Sequence, residues 1–403
     1  MPKLIPSAEK KLLSWLDKNL YIFWYIAVSI LAGMIRWSFF DHVSGDYYTF
    51  LQPWYEQIAG TGGFSALGTQ IGDYNILYQF LIACLTYIPI EPLYAFKLLS
   101  CLFDYLLAWI TACLVGLCVE KDKPLWCALA YSAVLLSPLV FLNSAAWAQS
   151  DSIYAFFCLA ALFLLLRRRY LLSFLALGVA FSLKLQSVFV LPVFLFAYFR
   201  ERKFSLLWFL LIPTVMIALS VPGILFGRGV FDVFTVYLNQ AETYPYIALN
   251  YPSVWLLLYH SSYYWAFQKL HSAAILLCIL IQGMYMLLWD KRKASMTESN
   301  IIRMAFILAY SCVLFLPSMH ERYSVLYEIL AVVIFCMDRK TGLLLVPLYG
   351  ISLAAYGKFL FASEFDLNLL AAINVAVYTA YAWLLTQKML KEENQLSLSK
   401  RKP

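Results

Sequence analysis

The chain has 403 residues, of which 63% are hydrophobic, 18% aromatic and only 13% charged, far below the roughly 25% charged residues of an average soluble domain. Such a composition excludes a soluble globular protein and places long apolar runs in a bilayer, with Trp and Tyr at its interfaces. The net charge of +7 is spread in small clusters between those runs, which argues against a nucleic-acid partner, and the nine cysteines form neither a disulfide framework nor a CxxC metal pair.

In chain order, residues 1–19 carry Lys3, Lys10, Lys11 and Lys18 ahead of an apolar run. They look like the start of a signal peptide, but no small-residue cleavage site follows, so they read as a cytoplasmic lead into the first span. A spanning helix needs about 20 apolar residues. Runs near 21–40, 92–119, 124–143, 151–166, 170–187, 188–200, 204–224, 271–289, 301–317, 323–337, 342–361 and 368–387 predict about twelve spans. The short runs 188–200 and 323–337 leave room for eleven or thirteen. With twelve, every basic cluster falls on one side: the N-terminal lysines, Lys121 with Lys123, Arg167 to Arg169, Arg200 with Arg202 and Lys203, Lys291 to Lys293, Arg339 with Lys340, and the tail 388–403. By the positive-inside rule both termini are then cytoplasmic.

The predicted fold class is therefore all-α, a polytopic membrane protein forming one domain over 1–403. It has a large first outer loop at 41–91 and a second at 222–270. Short outer turns lie at 144–150, near Gln186, at 317–322 and at 363–366. The stretches Tyr47 to Ile58, Ile76 to Ile88 and Val254 to Phe267 read as juxtamembrane helices lying in the interface.

Most unusual polar residues fall at the outer helix ends. The first loop holds Asp41, Asp46 and the run Asp73, Tyr74, Asn75. Asp46 is the candidate catalytic base, since a loop carboxylate can take a proton from a hydroxyl that attacks a sugar C1; it is equally placed to cap the helix after it. Trp147, Gln149 and Asp151 crowd a short outer turn, where Asp151 and Ser152 are also in position to cap. Lys184 stands with Gln186 at an outer helix end, where a lysine can snorkel to the interface. Three ionisable groups, His320, Glu321 and Arg322, precede Tyr323 at another outer end, and such clusters at a membrane edge are costly unless used. A guanidinium such as that of Arg322 holds two phosphate oxygens at once, and His320 can donate to the same group. Glu328, one to two turns deeper, is placed to pair with one of these cations. The sets complement each other: a base for an acceptor, cations for a departing lipid phosphate, and no need for a second carboxylate as acid. The implied reaction is a single in-line displacement with inversion.

At these residues the chain resembles the GT-C superfamily of membrane glycosyltransferases, and more closely the bacterial proteins related to the second mannosyltransferase of GPI-anchor synthesis. The resemblance rests on Ser44 to Tyr47, Pro53 to Tyr55, Gly62 to Gly68 followed by Gly72 to Tyr74, Trp147 to Asp151, Leu183 to Gln186 and His320 to Tyr323. It implies a GT-C-like fold whose large first outer loop holds the catalytic aspartate, here Asp46. It also implies a polyprenyl-phosphate-linked sugar donor, mannose or another hexose, with His320 to Tyr323 facing its phosphate. The expected acceptor is a glycan, a glycolipid or a wall polymer, and the sequence does not distinguish these from a lipid-linked oligosaccharide or a protein. On this assignment Asp46 is catalytic, and Arg322, His320 and Lys184 bind the donor phosphate. Trp54, Tyr55, Asp73, Tyr74, Trp147, Gln149, Asp151, Gln186, Glu321 and Tyr323 bind substrate. One departure is Ala148, where the family pattern leads one to expect Gly.

No ligand set with metal-site spacing stands out, so no cofactor is expected; Mg²⁺ or Mn²⁺ bridging Asp46, Asp73 or Asp151 to the phosphate is the minority alternative. The rival class is a transporter or flippase for a lipid-linked sugar, which would centre polar groups at mid-membrane; Lys97, Asp104 and Glu328 are the residues that fit it. Short loops and the absence of an N-x-[ST] sequon point to a bacterial plasma membrane.

Overall fold

The computed structural model describes residues 7–258 and 264–399, and among these it contains helices and turns but no β-strand. Its helices are α1 (Ser7–Trp37), α2 (Gln52–Gly60), α3 (Ile76–Leu85), α4 (Pro92–Cys118), α5 (Lys123–Leu135), α6 (Pro138–Phe141), α7 (Asp151–Leu166), α8 (Tyr170–Leu183) and α9 (Leu191–Glu201). They continue with α10 (Leu211–Leu225), α11 (Asp232–Thr243), α12 (Val254–Leu258), α13 (Tyr264–Lys291), α14 (Glu298–Phe315), α15 (Val325–Met337), α16 (Arg339–Gly342), α17 (Leu345–Phe361) and α18 (Leu367–Ser399).

Among the described residues, seven helices are long and apolar enough to cross a membrane, or eight if a bent pair is counted as one span. The twelve runs expected from composition are therefore not all spans by length. The difference is physical. The run 124–143 breaks at Pro138 into α5 and a second piece bent by 42°, because proline has no N–H to give the turn before it. Helix α15 has 13 residues and rises only about 20 Å, against a hydrocarbon core of roughly 30 Å. The run 188–200 is a 3-10 turn, Leu185–Val190, leading into α9.

Other boundaries differ too. Helix α1 begins within the expected N-terminal lead, and α18 continues through most of the expected tail 388–403. Residues 1–6 of the lead, 400–403 of the tail and 259–263 of the second outer loop lie outside the described residues. Two of the three interfacial stretches are helical as α2 and α3. The third holds α12, the undescribed 259–263 and the first residues of α13, which starts before the expected end of the loop.

Helices α14 and α15 form the centre. In α14, 83% of the apolar window is buried, against 11% in α1, so α14 and α15 are apolar all round rather than striped. Helix α4 packs on α5, α7 and α15, and α7 on α8. At one end of the bundle the basic clusters meet: the Arg339 guanidinium lies 4.6 Å from the Trp126 ring, Lys388 pairs with Asp338, and Arg200 approaches Asp290 at 3.4 Å. The loops rich in candidate residues gather at the other end.

Candidate active site

Asp46 is held by the loop that follows α1. The buried Lys97 ammonium, on the first turns of α4, donates to the carbonyls of Phe39 (2.8 Å), Phe40 (2.8 Å) and His42 (2.6 Å). All three of its protons are thus spent on fixing the chain end that α1 leaves unsatisfied. Ser44 donates to the Trp147 carbonyl at 3.0 Å and receives the Tyr47 N–H at 3.2 Å. Capping at this turn therefore falls to Ser44, and the Asp46 carboxylate makes no cap bond. Its Oδ2 instead accepts from Trp147 Nε1 at 2.9 Å and Gln149 Nε2 at 2.8 Å. Oδ1 has no partner among the described residues.

The segment Trp147–Asp151 is anchored from beneath. Asp104 accepts from Ser144 and Ser152 at 2.5 Å each and from Arg36 Nε at 2.9 Å, which clamps both flanks of the segment. Trp147 is buried, stacked on Phe359 at 4.5 Å. Ala148 has φ +63°, a left-handed conformation that costs an L-residue roughly 1–2 kcal/mol, so the position where glycine was expected does have a glycine-like backbone. Gln149 is turned so that its amide spans two charges: Nε2 donates to Asp46, and Oε1 accepts from Arg322 Nη1 at 2.5 Å. A primary amide can do this because its NH₂ donates while its carbonyl oxygen accepts. Tyr74 adds a long bond to the same Oε1 at 3.4 Å.

Asp151 does not cap α7; its Oδ1 forms a buried ion pair with Lys184, and its Oδ2 accepts from Asn143 at 2.9 Å. Lys184 does not snorkel. Its ammonium is enclosed by the rings of Tyr74 (5.4 Å), Tyr154 (5.6 Å) and Tyr323 (5.6 Å). Glu328, expected to pair with His320 or Arg322, hydrogen-bonds Ser352 instead, because α15 turns it away from the outer end and towards α17.

Among the outer residues, burial first and then the charges of Arg322 and Lys184 push the His320 imidazole down to about 3, so it is neutral at physiological pH. Its ring lies between Tyr244 at 4.9 Å and Tyr323 at 5.1 Å, and its Nε2 has no partner among the described residues. Burial raises the Glu321 carboxyl to about 6, and burial also raises that of Asp73.

These elements enclose a cavity with about 1080 Å³ of empty space, its mouth included. Asp46, Trp54, Asp73, Tyr74, Gln149, Gln186, Arg322 and Tyr323 line it. Gly72, at φ +72°, allows the Trp54 indole to lie against the backbone, since a Cβ there would come 2.5 Å from Trp54 Cε2. The remaining predicted site residues stand behind this wall. Trp147, Asp151, Lys184, His320 and Glu321 are not on its surface, and Tyr55 packs towards Phe96, with ring centroids 6.2 Å apart. Sequence reasoning missed Phe50, Leu51, Leu185, Gln240, Tyr244, His271, Ile275 and Leu316–Met319, which complete the lining. The available signal was a polar, amphipathic helix, α11, inside the second outer loop.

The chain matches glycosyltransferase family 87 over residues 74–317, more than half of its length. It belongs to that family. No curated protein matches it.

Membership of family 87 makes the chain a membrane glycosyltransferase. The matched region contains Gln149, Gln186 and Gln240 on the cavity wall, together with the Lys184–Asp151 pair behind it. Asp46, Asp73 and Arg322 lie outside the match, so their part in this family 87 protein is argued from geometry alone. Among the described residues, no three His, Cys, Asp or Glu side chains gather in a group that would hold a metal. Of the three carboxylates considered as metal bridges, Asp151 already has both oxygens taken, by Lys184 and Asn143.

Proposed function

We propose that this family 87 member is an inverting hexosyltransferase that moves mannose or another hexose from a polyprenyl-phosphate donor to a glycan, glycolipid or wall-polymer acceptor. The observation that carries the proposal is that Asp46 and Arg322 line one cavity and are held apart by the Gln149 amide. A carboxylate and a guanidinium in direct contact would neutralise each other. Kept apart, they serve two reactants.

In the proposed step an acceptor hydroxyl oxygen attacks C1 of the sugar, and its proton passes to Asp46 Oδ1. The bond from C1 to the phosphate oxygen breaks, and its electron pair leaves with the polyprenyl phosphate. Arg322 stabilises that departing charge from a preorganised position. His320, neutral and behind the wall, is read as packing the Tyr244 and Tyr323 rings rather than binding the phosphate. Apolar side chains on the same wall, among them Phe50, Leu51, Ile275, Leu316 and Met319, suit the first isoprene units of the lipid. We read catalysis as metal-independent, with Lys184 acting from behind the wall by holding Asp151 and the Tyr323 ring rather than touching the phosphate.

The topology belongs to the same proposal. Reading the shorter helices α7, α8, α9 and α15 as crossings restores twelve and a GT-C-like plan. The end that gathers the basic clusters is then cytoplasmic, and the cavity opens on the outer face of a bacterial plasma membrane. The relation to the second GPI-anchor mannosyltransferase enters as part of this reading. Two of the three mid-membrane groups that would favour a flippase have structural partners, Lys97 on backbone carbonyls and Asp104 on Arg36 and serines, while Glu328 binds Ser352 through one carboxylate oxygen.

The test is transfer by purified protein in lipid, from a panel of radiolabelled polyprenyl-phosphate hexoses to a membrane-lipid extract supplying the acceptor, with and without EDTA. Labelled product from one donor, unchanged by EDTA, is expected. Lipid-linked sugar moved across the bilayer without transfer would replace this reading by the flippase.

A further inference from the structure

Two amides on the cavity wall accept no hydrogen bond at Oε1 among the described residues. Gln186 stands in the 3-10 turn that follows α8, and Gln240 stands in α11; the Oε1 of each is shut off from bulk solvent without a partner among the described residues. An amide oxygen left this way costs roughly 1–3 kcal/mol, and native structures keep such groups chiefly where something else satisfies them. The two residues come from elements far apart in sequence, yet share one cavity with Asp46 and Arg322.

A primary amide presents an acceptor and two donors in one plane. Two neighbouring hydroxyls on a pyranose ring, each able to donate and to accept, complement that pattern. The charges on the wall narrow the sugar further. Asp46 and Asp73 both line it, and Lys184 is taken up by Asp151 behind it. That leaves a sugar carboxylate facing two like charges, with Arg322 committed to the phosphate.

Resting on the transfer reaction proposed above, we infer that Gln240, together with Gln186, reads neighbouring hydroxyl groups of the donor sugar, with Gln240 as a specificity-determining residue for an uncharged hexose. Gln186 and Gln240 grip the ring while Arg322 grips the phosphate, so the two contributions separate in a binding measurement that needs no acceptor.

The experiment measures the affinity of the full-length protein in lipid nanodiscs for polyprenyl-phosphate glucose, mannose, galactose and glucuronate, and for polyprenyl phosphate carrying no sugar. Wild type is expected to prefer one neutral hexose over its epimers and to bind the glucuronate weakest. Gln240→Ala should cut the preference among epimers about tenfold, the worth of one or two neutral hydrogen bonds, and Gln186→Ala should act in the same direction. Affinity for the bare polyprenyl phosphate should stay at its wild-type value, which also reports that each variant is folded. An unchanged epimer ratio in both variants would overturn the inference, as would tightest binding of the glucuronate. Failure of wild type to bind any lipid-linked sugar would overturn the transfer reading and this inference with it. An Asp46→Asn enzyme that still turned over would remove the base assignment and leave these affinities as they are.

Discussion

Asp46 and Arg322 hold opposite ends of one amide, that of Gln149, with bonds of 2.8 and 2.5 Å. The carboxylate can only accept and the guanidinium can only donate, so the orientation of the amide between them is forced. Gln149→Glu should therefore be worse than Gln149→Ala. It removes the donor to Asp46, sets two carboxylates side by side and gives Arg322 a competing anion. Steady-state transfer assays should show kcat for Gln149→Glu down by about 10²-fold or more, on the scale of a disabled general base, with a raised donor KM. Equal effects of the two substitutions would mean that the bridge matters only for packing.

Ala148→Gly should stabilise the protein. The left-handed backbone at φ +63° costs alanine roughly 1–2 kcal/mol, while glycine adds about 0.5–1 kcal/mol of chain entropy on unfolding. The expected balance is a gain of up to about 1 kcal/mol, read as a higher thermal midpoint in detergent. A lower midpoint would show that the Ala148 methyl contributes more packing than its backbone costs.

Lys97→Met should leave the carbonyls of Phe39, Phe40 and His42 without their shared donor. The Phe39 carbonyl keeps the His42 N–H at 3.1 Å, but at roughly 1–3 kcal/mol for a buried carbonyl left unpaired, the loss at Phe40 and His42 should loosen the loop carrying Asp46. The expected result is a lower thermal midpoint and a fall in kcat larger than the rise in donor KM. A variant with normal midpoint and normal kcat would rule out this anchoring.

The Glu321 carboxyl rises from its ordinary 4.5 to about 6 on folding. A carboxyl with a raised pKa favours the folded state fully below the unfolded value, and that contribution is lost as pH climbs from about 4.5 through 6. Above that window the buried charge costs about 2 kcal/mol, so Glu321→Gln should be more stable than wild type at pH 7.5 and equal to it near pH 4. Thermal unfolding at the two pH values checks this, and a difference independent of pH would contradict it. His320 moves the other way, to about 3, so the acidic limb of a pH–rate profile should persist in His320→Gln.

Composition and the placement of basic residues made the class of protein and its two unlike ends legible in the sequence. Asp46, Gln149 and Arg322 also stood out as candidates in three separate turns, and the structure brings them into one bonded group. What could not be read was the pairing behind the wall. Asp151 and Asp46 are both carboxylates at outer helix ends, and only the packing of α7 against α8 brings Lys184 to one and leaves the other facing the cavity. Helix lengths were also illegible, because a buried run such as Tyr323 to Met337 stays apolar through a 3-10 turn into a short helix. Gln240 lay in a loop with no motif around it, and only its position in α11 on the cavity wall marks it.

The central claim is that Asp46 serves the acceptor and Arg322 the donor phosphate, and the most direct test measures donor binding and transfer side by side in Asp46→Asn and Arg322→Ala. The account predicts that Asp46→Asn binds the polyprenyl-phosphate sugar as wild type does while transfer falls by about 10²- to 10⁴-fold, and that Arg322→Ala weakens donor binding itself by about 10- to 100-fold. Wild-type turnover in Asp46→Asn, or undiminished donor affinity in Arg322→Ala, would contradict it.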